Sequence, residues 1–130
     1  MYTNQEAFDK VVRHLVAQGR PAINANGSCA YLSEDGRKCA AGCLIPEDVI
    51  NLDFGGTWPE LRATYPNLKL ELIAEYTLVN FMQAAHDHKS RHPAWRKSWA
   101  QQMLICAKTY NIDPSVLNEL VTQEWQDVSL

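Results

Sequence analysis

The chain has 130 residues, of which 46% are hydrophobic and 21% charged; this is the size and composition of one globular domain, residues 1–130, and it excludes a disordered polyelectrolyte. A formal net charge of −3 is too mild for a nucleic-acid coat, so nucleic acid is not an expected partner. No apolar run approaches the roughly 18 residues of a membrane span, and the opening MYTNQEAFDK lacks the pattern of a secretory signal, so a cytoplasmic protein with reduced cysteines is expected.

Thr3 and Glu6 have capping-box spacing and predict a helix to about Gln18, with Phe8, Val11, Val12, Leu15 and Val16 on one face and Gly19 and Pro21 as its stop. After the polar connector Asn24–Gly27 comes SCAYLSEDGRKCAAGCLIP, in which Asp35-Gly36 between two short segments signals a β-hairpin. A three-residue loop, Glu34 to Gly36, puts glycine at the left-handed position. It sets Tyr31 opposite Cys39 and Cys29 opposite Ala41, gathering Cys29, Cys39 and Cys43 on one core-facing side. Pro46 suits the first turn of a short helix.

Thr57, Pro59 and Glu60 predict a second short helix over Trp58 to about Thr64. Asn67 is the expected cap of a long central helix reaching about His88, although Leu68, Leu70 and Leu72 also alternate like a strand. A further helix is expected from near Pro93, with Trp95, Trp99, Met103, Cys106 and Tyr110 on one face. Asp113-Pro114 then opens a last helix carrying Leu117, Leu120, Val121 and Trp125. The fold expected is α+β: five or six helices with one β-hairpin packed on the central helix.

Three readings apply to the thiols. The preferred one treats them as buried free cysteines acting as small hydrophobes, with no cofactor. A second is a zinc site from Cys29, Cys39 and Cys43 completed by His86, His88 or His92, against which stands the lack of any CxxC pair. A third makes Cys39 a nucleophile with His86 as its base. The segment QAAHDHKSRHPAWRKSW concentrates three of the four histidines. His86, in step with Met82 and Val79, is expected to be a partly buried hydrogen-bonding residue next to Asp87, with His88 and His92 exposed. Lys89, Arg91, Arg96 and Lys97 with Trp95 and Trp99 form a basic-aromatic cluster, read either as a binding surface or as a solvated face over inward-packing tryptophans. No phosphate-cradling glycine loop, zincin motif or nucleophile elbow occurs, so no enzyme activity is indicated.

The pieces Phe8–Gly19, Cys29–Pro46 and Gln83–Asp87 resemble a group of small bacteriophage and prophage proteins with the pattern FDxVVxHLxxQG, then CxYxxxDGxxCAxGxLIP, then LQxxHD. Cys43 departs from that pattern, which weighs against a three-thiol metal site. The resemblance brings no catalytic residue with it. It implies a phage-type accessory protein that binds and inhibits or modulates a host protein, a component of antiviral defence being one such target. Lys89, Arg91, Trp95, Arg96 and Trp58 are the interface candidates by residue type. The alternative function is a small-molecule or nucleotide binder acting as a signal sponge, and the third a thiol- or metal-dependent enzyme.

Overall fold

The computed structural model describes residues 1–130, and its regular structure is helical, with non-helical connectors over residues 19–39 and 45–57. Its helices are α1 (Asn4–Gln18), α2 (Ala40–Leu44), α3 (Trp58–Thr64), α4 (Tyr76–Asp87), α5 (Trp95–Thr109), α6 (Ser115–Leu120) and α7 (Gln123–Gln126), with 3-10 turns at Pro66–Leu68 and Leu70–Leu72. No helix is long and apolar enough to cross a membrane.

Local chemistry sets most boundaries. Thr3 and Glu6 close the expected capping box on α1, which ends at Gly19 with φ +76°. Thr57 caps α3 by accepting the Glu60 N–H. Helix α1 buries Phe8, Val11, Val12 and Leu15 against α2 and α6, while α4 lies between α2 and α5. The three buried tryptophans Trp58, Trp95 and Trp99 join this same core.

The expected α+β class is incorrect, because there is no sheet and no β-hairpin. Two isolated antiparallel bridges, Ile23 with Cys29 and Leu32 with Lys38, are the only extended pairings. The tight loop does form, with Gly36 at φ +87° and Leu32 opposite Lys38. The ladder stops one residue later because Cys39 caps a helix: its sulfur accepts the Gly42 N–H at 3.2 Å, and Ala40-Ala41 continue helically. Gly42 lets α2 approach the preceding segment, since a Cβ there would stand 2.1 Å from the Tyr31 carbonyl oxygen. Cys29 therefore pairs with Ile23 rather than Ala41, and the three thiols do not share a face.

Three smaller expectations also change. Pro46 starts a single turn, with the Val49 and Ile50 N–H groups on its carbonyl, and not a helix. The central helix begins at Tyr76, nine residues after Asn67, because Lys69 at φ +51° separates two 3-10 turns before it. The last helix is interrupted after Leu120, where Thr122 opens α7 by accepting the Trp125 N–H at 3.2 Å.

Candidate functional site

Among the residues singled out from sequence, the tryptophans are placed inside. Trp58, at the start of α3, and Trp95, at the start of α5, are each about 1% exposed or less, so neither offers a ring to a partner. Trp95 and Trp99 stack at 5.8 Å, and the Trp95 indole N–H donates to the His86 carbonyl at 2.8 Å. Arg96 is tied inward as well. Its Nε donates to the Gly19 carbonyl at 2.8 Å, and its guanidinium lies 4.8 Å from the centre of the Trp125 ring. These two contacts hold the end of α1 to α5 and α7, a structural use of the charge. Lys89 and Arg91 are exposed, on the turn between α4 and α5.

His86 is the centre of a buried polar network. The Ala22 backbone N–H donates to His86 Nε2 at 3.0 Å, so the ring proton sits on Nδ1 and is donated to Asp87 Oδ1 at 2.7 Å. Gln83 extends the network, donating to the same Asp87 oxygen at 3.1 Å and accepting the Ala41 N–H at 2.9 Å. Cys29 lies alongside and donates its thiol hydrogen to Ser90 Oγ at 3.3 Å. Four segments of chain, around residues 22, 29, 41 and 83–90, are joined by these bonds.

The ligating atoms of Cys29, His86 and Asp87 lie within 4.8 Å of one another, a spacing that would suit a metal ion. The donor set does not fit one. The Nε2 lone pair is taken by an amide hydrogen, and Nδ1 carries a proton already given to Asp87. An ion would have to break one of those bonds and leave a buried group unpaired. Cys39 and Cys43 are built into α2 and are absent from this cluster.

The same geometry disfavours nucleophilic chemistry. A base needs a free imidazole lone pair facing a thiol of lowered pKa. Burial instead pushes the Cys29 thiol up to about 11, and the neighbouring Asp87 carboxylate adds to the rise. Cys39 is fully buried and driven well above the ordinary thiol range by desolvation, while Cys43 and Cys106 are each pushed up to about 12 by burial.

A cleft of about 290 Å³ with convergent cationic groups lies beside this network, bordered by Arg20, Arg37, Ser90, Arg91 and His92, with Pro21, Ile23 and Leu130 as its apolar part. Arg91 is held over the 24–28 turn, its Cζ only 3.1 Å from where a Cβ on Gly27 would stand. Arg37 is fixed by Asp35 Oδ2 and by the Pro21 carbonyl, each at 2.8 Å. Arg20 and Arg91 make no ion pair. Sequence reasoning finds Arg91 but misses Arg20 and Arg37. Arg20 comes after a helix stop and Arg37 after the Asp35-Gly36 turn, and no local pattern announces that the two ends meet. A larger cleft of about 570 Å³ lies at the opposite end of α1, between Tyr2, Leu44, Ile45, Leu72 and Ile73. Its charged rim is already committed: Lys10 bonds the Tyr2 hydroxyl, Glu6 the Thr3 N–H, and Glu47 pairs with Lys38.

In comparisons with protein-family models, with curated proteins and with solved structures, nothing matches the chain.

Proposed function

We propose that this protein acts by binding and not by chemistry, and that it engages an acidic surface of another protein through the basic face formed by Arg20, Arg37, Lys89 and Arg91. The observation that carries this reading is the convergence of cationic side chains from three chain segments on one open cleft, in a chain whose formal net charge is −3. A local patch of sign opposite to the whole orients an approaching partner and speeds encounter. The commitment of the thiols and of His86 to internal bonds supports the non-catalytic half of the proposal.

In the phage-type setting that the sequence resemblance implies, the partner is a host protein and the outcome its inhibition or redirection, with antiviral defence among the processes affected. The test is capture from a bacterial-host lysate with the wild-type chain and with Lys89→Glu/Arg91→Glu. The captured protein is then purified and titrated against both. Direct association that is lost on charge reversal, and that weakens as salt rises, is the expected result. A purified partner that binds both forms equally well would exclude the basic face as the binding surface.

A further inference from the structure

We propose that the cleft bordered by Arg20, Arg37, Ser90, Arg91 and His92 is a site for a phosphoryl group carried as a phosphomonoester. This rests on the reading of the basic face as the binding surface and names what that face recognises.

The donors decide the chemistry. Arg37 spends two of its five N–H groups on Asp35 and Pro21, which fixes the plane of the guanidinium and leaves three uncommitted. Arg91 lies against the Gly27 backbone and makes no ion pair, so its whole fork is available. His92 Nδ1 accepts the Ala94 N–H at 3.0 Å, which places the ring hydrogen on Nε2 as a donor. Ser90 Oγ accepts the Cys29 thiol hydrogen at 3.3 Å, so its own hydrogen remains to be given. No Asp or Glu borders the cleft directly, although Arg37 is paired with the Asp35 carboxylate and Leu130, the last residue of the sequence, is part of the lining.

A planar carboxylate is satisfied by one guanidinium fork. Donors from residue 20, residue 37 and residues 90–92 line one cleft from three segments, an arrangement that suits a tetrahedral oxyanion carrying close to two negative charges. The volume of about 290 Å³ is at the lower limit of ordinary ligand pockets, enough for a phosphoryl group and a small body behind it. The apolar part of the lining is Pro21, Ile23 and Leu130, and His92 supplies its one aromatic ring, with no Phe, Tyr or Trp face for a nucleobase. That favours a phosphorylated hydroxyl, on a small molecule or on a side chain of a protein partner, over a nucleotide read through its base. Lys89, a non-glycine residue at φ +53°, begins the turn that carries Ser90, Arg91 and His92.

The test is an amide-shift titration of the full chain with four probes: inorganic phosphate, glycerol phosphate, a phosphoserine peptide, and the same peptide with glutamate in place of phosphoserine. Saturable shifts confined to residues 20–23, 37 and 90–92 are expected, with the phosphoserine peptide binding about tenfold tighter than its glutamate counterpart. Arg20→Ala and Arg91→Ala, both at exposed positions, should each weaken phosphoryl binding by about tenfold while leaving the helical spectrum unchanged. Equal affinity for glycerol phosphate and the phosphopeptide supports a small-molecule source, and a marked preference for the peptide supports a phosphorylated partner. Should the glutamate peptide bind at the same residues as tightly as the phosphopeptide, the acidic-partner reading stands and the phosphoryl site is overturned. Shifts spread equally over distant arginines such as Arg13 and Arg62, or no saturable binding of any probe, also overturn it.

Discussion

Replacing His86 by phenylalanine keeps a flat ring in the core and removes the acceptor for the Ala22 N–H. That amide bonds Nε2 at 3.0 Å in a buried position, and leaving it unpaired costs about 1–3 kcal/mol. Asp87 also loses its imidazole donor, but its carboxylate is 37% exposed and keeps the Gln83 amide, so that loss adds little. For a chain of this length a loss of about 2 kcal/mol lowers the melting temperature by roughly 8 °C. His86→Gln is the informative companion, because its side-chain oxygen reaches the position of Nε2 and restores part of the loss. Thermal and urea denaturation of the three proteins measure the effect. The nitrogen shifts of the His86 ring in the wild type check its cause, with the hydrogen expected on Nδ1. A His86→Phe protein as stable as the wild type, or a ring protonated on Nε2, would refute the role given to this network.

Chelator treatment should leave the melting temperature and helical signal unchanged, and elemental analysis should find no stoichiometric zinc; a large loss of structure with EDTA would contradict the closed donor set around His86. The four free thiols should react slowly with a disulfide reagent in the native protein and rapidly once unfolded, since burial holds each well above the ordinary thiol pKa. Gly42→Ala should destabilise the fold by at least about 1–3 kcal/mol in urea titrations, because the added methyl would meet the Tyr31 carbonyl oxygen at 2.1 Å. His14 is held below its ordinary pKa by burial, so the unfolded chain binds more protons there. Its contribution to stability is complete above the ordinary value of about 6.5 and declines as pH falls below it. His14→Gln should flatten that part of the stability profile.

Helix α1 is legible in the sequence because its signals are local: Thr3, Glu6 and Gly19 act within one turn of the residues they cap. The inward stripe of α5 is legible in the same way, from Trp95, Trp99, Met103 and Cys106 at helical spacing. The hairpin signal misleads because Asp35-Gly36 specifies the loop but not the conformation of the residues after Lys38. Cys39 has both a β-compatible side chain and a sulfur able to cap Gly42, and the tight packing of α2 on Tyr31 decides between them. Trp58 and Trp95 are interface anchors by residue type alone, and only tertiary packing shows their rings enclosed. The basic cleft depends on residues 20, 37 and 91 meeting across separate segments, which no window of sequence reports.

The most direct measurement on the binding role of the basic face is backbone amide hydrogen exchange of the full chain, alone and with its purified partner. Slowed exchange is predicted at residues 20–24, 36–38 and 88–92, with the remainder unchanged. Protection confined to residues 51–57, which precede α3, or to the cleft around Tyr2 and Leu72, would contradict it.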